Sequence, residues 1–451
     1  MLDRRRSGVL LHPAALPGEH GALGRAARSF IDWLASAGFS VWQVLPLGPV
    51  GADASPYWVR SDQAGNPSLI DRGEAPEPEH ARASFESFRE AQQSWLEDYV
   101  LFAALSRAHG AAPWWTWPAA LRDRDPQELR MAKQQLEREL QALRVEQWQF
   151  DWQWRALRDY AHERGVRLYG DLPIYLAPDS VATWSQRAQF QLCPDGQPAM
   201  LAGVPPDYFA ADGQLWGNPL YDWHQAQRDG FAFWRTRVAG QLQRFDLLRL
   251  DHFRGLAGYW AVPAGARTAR EGQWLPAPGA ALLAALTHAL GSLPLVAEDL
   301  GVITPDVVAL RRDFDLPGMR VLQFGFDGDA GNPHLAHNFT QRTVVYTGTH
   351  DNDTTLGWYR SLDAATARRI DRYAGATPGA MPEALVRVAL ASVAVLAMVP
   401  VQDLLSLGSE ARYNVPGTVG DNWRWRMNEG ALTAALAAHY RELNGTFGRM
   451  P

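Results

Sequence analysis

Apolar residues along this chain fall in short continuous runs, separated by longer stretches in which they recur every three or four positions. The runs are FSVWQVLPLG (39–48), GVRLYGDLPIY (165–175), FDLLRLDHF (245–253), LPLVAEDLG (293–301), MRVLQFGF (319–326), TVVYTGTHD (343–351) and AVLAMVPVQDLL (394–405). A run without alternation marks a strand buried on both faces, as in a parallel sheet. The stretches between read as helices: ARSFIDWLASAG, which closes on Gly38, PGAALLAALTHALGS (278–292) and ITPDVVALRRDF (303–314). Seven such strands, with an eighth expected within 50–70, predict an α/β fold of the (β/α)8 TIM barrel type. A doubly wound open sheet is the competing arrangement. No Gly-rich phosphate loop follows the first strand, which weighs against its nucleotide-binding form.

The strand spacing is uneven. A long excursion at about 50–160 includes the charged helical segment DPQELRMAKQQLEREL (125–140), and a second at 176–240 is rich in Gly, Pro and aromatic residues. Both read as insertions in loops after strands, on the face where barrel enzymes hold substrate. With no Ser/Gly linker and no internal repeat, residues 1–451 are expected to form a single catalytic barrel whose insertions make subdomains around the active-site mouth.

Composition narrows the partners. Hydrophobic residues make up 47% and charged residues 20%, and the formal net charge is −6, so neither nucleic acid nor an anionic membrane is expected as a partner. The single cysteine, Cys193, excludes an internal disulfide framework and suits a reducing compartment. The basic start MLDRRRSGVLLHPAALPG has only the apolar run GVLL, short of the roughly 7–15 residues of a secretory core. No stretch reaches the ~18 apolar residues of a membrane span, so the expected location is the cytoplasm. Nineteen Trp and thirteen Tyr exceed what a core of this size requires. Several lie in PWWTWP (113–118) and GQLWGNPLYDW (213–223), where flat rings suit either stacking on sugars or bases or the packing of loops.

Four runs end in polar residues: GDLP (Asp171), RLDH (Arg249, Asp251, His252), AEDLG (Glu298, Asp299) and GTHDND (His350, Asp351, Asp353). Strand C-termini of a barrel converge on one mouth, so acids distant in sequence are expected to meet there. A lone acid after a strand is more often a helix cap, but four such endings, two with an adjacent His, point to catalysis. Two carboxyls facing one bond are what glycoside chemistry needs: one attacks the anomeric carbon, the other protonates the departing oxygen. Arg249 lies two residues before Asp251, on the same face of a strand, and would favour its charged form. The acid would hold its proton through burial and neighbouring carboxylates. A catalytic metal is the rival use of such clusters, but no HExxH or Cys/His spacing is present, and no G-x-S-x-G elbow supports a serine hydrolase.

At these residues the sequence resembles the 4-α-glucanotransferases of the amylomaltase type, related to the α-amylases. The resemblance runs through LLHPAALPG, WQVLPLGP, SPY, AGNPSLI, DLPIY, GVPPDYF, GQLWGNPLYDW, RLDHFRG, GYWAVPAG, AEDLGVITP, LPGMRVLQFGF, YTGTHDNDTTLGWY, PVQDLLSLGSEARYN and NWRWR, nearly the whole chain. It implies retaining, double-displacement transfer of α-1,4-glucan segments between maltooligosaccharides; an α-glucan hydrolase using the same carboxylates is the alternative. It further implies Asp251 as nucleophile, Glu298 as acid/base, and Asp351 as the group that grips the sugar beside the cleaved bond. Arg249, His350 and Asp171 would flank that sugar and Tyr57 would stack on it. Asp207, Gln214 and Trp216 would lie on a loop covering the acceptor side, and Asn414 would touch a donor sugar. Neither cofactor nor metal is implied. The sequence departs from the family at Trp58, where Gln usually follows SPY, at SDQAGNP, at Ala261 in YWAVPAG, and in being shorter between Ile70 and Ser94.

Overall fold

The computed structural model describes residues 2–18, 23–51, 53–74, 78–206, 211–377, 379–418 and 420–451. Eight strands close into a parallel barrel: β1 (Arg6–Leu10), β2 (Val41–Gln43), β3 (Arg167–Leu172), β4 (Leu247–Leu250), β5 (Leu295–Ala297), β6 (Gly318–Val321), β7 (Thr343–Tyr346) and β8 (Leu396–Pro400). Each pairs with its neighbours in sequence order, and β1 seals the ring by pairing with both β2 and β8. The barrel reading therefore holds and the open sheet does not.

Alternate positions along the strands pack into different cores, which is why the runs lack alternation. Met319 and Val321, Val344 and Tyr346, and Leu396 and Met398 join one buried cluster. Val345, Ala397 and Val399 join a larger cluster with Ile31 and Leu34 of the helix Arg25–Ser36, Leu157 of Glu137–Glu163 and Leu282 of Gly279–Leu290. The first set fills the barrel and the second lies beneath its helices.

The eighth strand is not within 50–70. The described residues of that stretch form turns, bends and the single helical turn Pro67–Leu69, with one isolated bridge between Val50 and Val59, and the missing strand is the N-terminal RSGVL. Of its five residues only Val9 and Leu10 carry apolar side chains, too few for periodicity to distinguish from a loop, yet both are at most 1% exposed once β2 and β8 flank them.

Between β2 and β3 lie the helices Pro78–Ala91, Leu96–Ala108, Pro126–Gln135 and Glu137–Glu163. The charged segment at 125–140 is thus two helices, broken at Leu136 (φ −100°, ψ 10°). The second runs on to Glu163 and carries Trp154 and Leu157 into the main core. Trp114 and Trp117 of PWWTWP are buried with Phe102, Leu140, Trp148 and Trp184 in a separate cluster, so these rings pack a loop and are not offered to a ligand. Between β3 and β4, strands 200–204 and 214–219 join 258–263 and 273–276 in an antiparallel sheet.

A buried arginine fastens these insertions to the barrel. Arg237, 1% exposed, pairs with Asp62 and donates to the carbonyl oxygens of Pro173 and Ile174 and to the Tyr221 hydroxyl (3.2 Å). It thereby joins the loop after β2 to the end of β3. Losing one partner of a buried pair leaves an uncompensated charge, so Arg237→Met should cost about 3–5 kcal/mol. Denaturant unfolding monitored by tryptophan fluorescence measures this; a variant as stable as the parent would show that the pair holds nothing together.

Candidate active site

The C-terminal ends of β3, β4, β5 and β7 bring the predicted polar residues to one mouth. Arg249, on β4 and 5% exposed, forks between two carboxylates: its guanidinium reaches Asp171 Oδ2 at 2.7 Å and Asp251 Oδ1 at 2.7 Å. The Tyr57 hydroxyl donates to the same Asp171 oxygen (2.7 Å) and lies 3.3 Å from Arg249. Asp171 sits within β3, its side chain wholly shielded, and its Oδ1 has no partner among the described residues. Desolvation disfavours charge on Arg249, but Asp171 and Asp251 outweigh it and keep the guanidinium protonated.

Glu298 follows β5 directly and is held quite differently. Its Oε2 accepts from the backbone N–H of His252 (2.6 Å) and its Oε1 from that of Leu300 (3.0 Å). His252 adopts the left-handed conformation (φ 47°, ψ 48°), unusual for a residue with a side chain and the kind of strain that collects at functional sites. Burial and the charge of Arg254 keep its imidazole neutral near pH 7, lowering its pKa to about 3.

The two carboxyls differ accordingly. Desolvation raises Glu298 to about 8, with the neighbouring charge of Asp251 adding to the rise and Arg249 opposing it. Desolvation also raises Asp251, to about 6, against the pull of Arg249. The Arg249 contact expected to favour charge on Asp251 is present, yet burial outweighs it; the ordering, with Glu298 above Asp251, is what separates the two groups chemically.

Asp351 lies beyond β7 on the open side of the mouth, with 46% of its side chain exposed. It receives the Asn414 amide (2.7 Å) and lies 3.3 Å from His350 Nε2, while Arg412 donates to its backbone carbonyl (2.8 Å). Enclosure by neighbours pushes its carboxyl up, but the imidazole and the amide prevail and hold it well below the usual carboxylate range. The ring of Tyr57 stacks on His350 with centroids 5.1 Å apart, and Trp423 packs against both at 6.0 and 5.9 Å.

Asp251, Asp351, Tyr57, Asp171, Arg249, His350 and Asn414 thus form one connected group, and Glu298 joins it through His252. Asn414 is committed to Asp351. Trp216 sits edge-on to His252 at 4.7 Å, and Gln214 accepts from its indole N–H (3.1 Å). Trp58 approaches Gly217 on the same 214–219 strand. Asp207 lies outside the described residues. Two acids expected at the mouth are engaged elsewhere: Asp299 pairs with Arg320 (3.1 Å) and Arg311 (3.3 Å), and Asp353 receives the Ser409 hydroxyl (2.7 Å). A strand's end orients only one of two successive side chains toward the axis, so Glu298 and Asp299 diverge. Trp423 and Arg412 had no predicted role. Both lie in stretches shared with the family, NWRWR and EARYN, but nothing in their spacing marks them as neighbours of the mouth.

A profile of the family described as "4-alpha-glucanotransferase" matches residues 11–84 and 72–433. The 4-alpha-glucanotransferase of Thermus thermophilus is 46% identical over 490 positions, covering 97% of this chain and 98% of that protein. That of Synechocystis sp. is 43% identical over 499 positions, covering 100% of this chain and 99% of that protein. Both alignments are longer than this chain, so each relative carries residues it lacks. Among solved structures, the amylomaltase from Streptococcus agalactiae in complex with acarbose superposes with a TM-score of 0.94 at 33% identity, covering 99% of this chain and 100% of that one.

The electrostatic link between the paired carboxyls is directly testable. Asp251→Asn removes a negative charge near Glu298, so Glu298 should ionise at lower pH than in the parent. Carboxyl 13C NMR titration reads the midpoint; an unchanged or higher value would mean that burial alone sets it.

Proposed function

The chain belongs to the 4-alpha-glucanotransferase family, and from that premise we propose how its mouth residues divide the reaction. The activity itself is transfer of an α-1,4-glucan segment from a donor to an acceptor glucan; the hydrolase alternative is not favoured by the relatives. Asp251 attacks the anomeric carbon and carries the glycosyl group as an ester. Glu298 first protonates the departing 4-oxygen and then, as carboxylate, takes the proton from the acceptor hydroxyl. Supporting this is the contrast between the two acids. Asp251 is gripped by a guanidinium, which stabilises its anion, whereas Glu298 has only backbone donors and keeps a proton near pH 7.

Asp351, ionised beside His350 and Asn414, binds hydroxyls of the sugar at the cleaved bond. Tyr57, Asp171, Arg249 and His350 bind and orient that sugar. Gln214, Trp216 and Asp207 serve the acceptor side; Trp216 against His252, whose N–H holds Glu298, supports that position. Transfer requires that an acceptor sugar reach the ester before water does, which a covering aromatic favours. Partners are maltooligosaccharides and longer α-1,4-glucans. Among the described residues no helix is long and apolar enough to cross a membrane. A single cysteine suits the cytoplasm as the place of reaction.

Asp251→Asn should lower kcat by roughly 10^4-fold or more while leaving the thermal unfolding curve near that of the parent. Wild-type kcat would remove the nucleophile assignment. On maltotriose the parent should yield glucose and longer oligosaccharides, resolved by chromatography; predominant hydrolysis would defeat the transfer reading. The dependence of kcat/KM on pH should be bell-shaped. Activity falls at low pH as Asp251 takes up a proton near about 6, and at high pH as Glu298 loses one near about 8. A profile flat across both limbs would contradict these roles.

A further inference from the structure

The loop that carries His350 and Asp351 runs from the end of β7 to the helix Thr355–Ser361. Both of its ends meet one carboxylate. Asp403, just after β8 and 1% exposed, accepts the Thr347 hydroxyl at 2.6 Å and the Thr355 hydroxyl at 2.7 Å on Oδ2. Its Oδ1 accepts the Thr355 backbone N–H at 2.8 Å. Thr347 and Thr355 are themselves fully buried. Residues 348–354 thus hang between two anchors that share a single acceptor. From the other side, Gln323, just after β6, donates its amide to the Asp353 carbonyl (3.0 Å). It lies so close to Gly348 that a Cβ there would come within 2.6 Å of the amide nitrogen.

An acid in the first turn of a short helix ordinarily serves that helix's own N–H groups. Asp403 lies in the turn Val401–Leu404 but reaches across to the first residue of the helix Thr355–Ser361 instead. Burying a carboxylate is costly unless hydrogen bonds replace its water, and hydrogen bonds to an anion are stronger than those between neutral groups. Three short donors onto one buried anion therefore make a stiff joint. The loop needs one, because Asp351 faces the open mouth with 46% of its side chain exposed and is not located by core packing. Inside the loop, Asn352 Oδ1 accepts the backbone N–H and the hydroxyl of Thr349, each at 2.9 Å, which keeps the loop's shape. Asp403 sets where that shape sits on the barrel.

We propose that Asp403 is a positioning residue for glucan transfer: by holding Thr347 and Thr355 on one carboxylate, it fixes the loop that carries His350 and Asp351 to the sugar under attack. Fully buried, it acts only through those residues. This role rests on the reading of Asp351 as the group that grips that sugar, and deepens it. A displacement of about 1 Å in such a group can cost roughly 100-fold in rate, so a weakened joint should act on catalysis before it unfolds the barrel.

The inhibition constant of 1-deoxynojirimycin, a glucose-shaped cation that fills the site of attack, reads the loop's position independently of how much enzyme is folded. Thr347→Val keeps shape and charge and removes one donor; Asp403→Asn keeps size and removes the anion. Thr347→Val should weaken inhibition and lower kcat/KM on maltotriose by a similar factor, about three- to tenfold, and Asp403→Asn by more, about 10–100-fold. In an Asp351→Asn background, Asp403→Asn should weaken inhibition much less than in the parent, because the two act through one contact. A parental inhibition constant in Thr347→Val, or full additivity of Asp403→Asn with Asp351→Asn, would mean that the carboxylate serves the fold alone, and either result overturns the proposal. Thr347→Val decides the matter even where Asp403→Asn fails to fold. Asp351→Asn by itself tests the underlying reading: a parental inhibition constant there would remove the sugar-gripping role and the joint's purpose with it. Weakened inhibition in Asp351→Asn beside a parental value in Thr347→Val would overturn the joint alone.

Discussion

The fork of Arg249 between Asp171 and Asp251 is the contact on which the rest of the mouth depends. One guanidinium holds two carboxylates from neighbouring strands at 2.7 Å each, and Tyr57 closes the group by donating to Asp171. A buried arrangement of this kind is stable only when every charge is matched, since removing one partner strands the others in a medium that solvates them poorly. The same fork sets the order of proton affinities. Arg249 forms an ion pair with Asp251 but acts on Glu298 only through space, so desolvation lifts Glu298 further.

Each acid is controlled by a different structural device. Backbone donors fix Glu298, one of them presented by His252 in a left-handed turn after β4. Side-chain partners fix Asp351, and its solvent-facing position suits a group that meets substrate hydroxyls. The insertions matter because they carry Tyr57 and Trp216 to the rim, and Arg237 ties the first of them to the end of β3.

Much of this could be read directly along the chain. Parallel strands buried on both faces followed from the continuous apolar runs, and their number favoured a barrel over an open sheet. The three carboxylates were marked by their places at the ends of those runs, and the roles proposed for them rest on the resemblance carried by the longer motifs. The reading failed where a signal was short or depended on direction. RSGVL was too brief to mark as a strand. Asp299 looked equivalent to Glu298, although adjacent side chains diverge and two arginines take it up. The tryptophans of PWWTWP left sugar stacking and loop packing equally open, and Trp114 and Trp117 proved to be core.

Sequence alone determined which residues are apolar, where strands end and which acids stand there, because those are properties of local order. Only the tertiary structure decided which acids share a space and what surrounds each one. Proton affinity depends on solvent exclusion and on the nearest charge, and both are set by residues far apart in the chain: Arg249 beside Asp171, His252 beneath Glu298, Asn414 on Asp351. Trp423 makes the point most plainly, for the motif NWRWR gives it no direction, and its position against Tyr57 and His350 exists only after the barrel has closed.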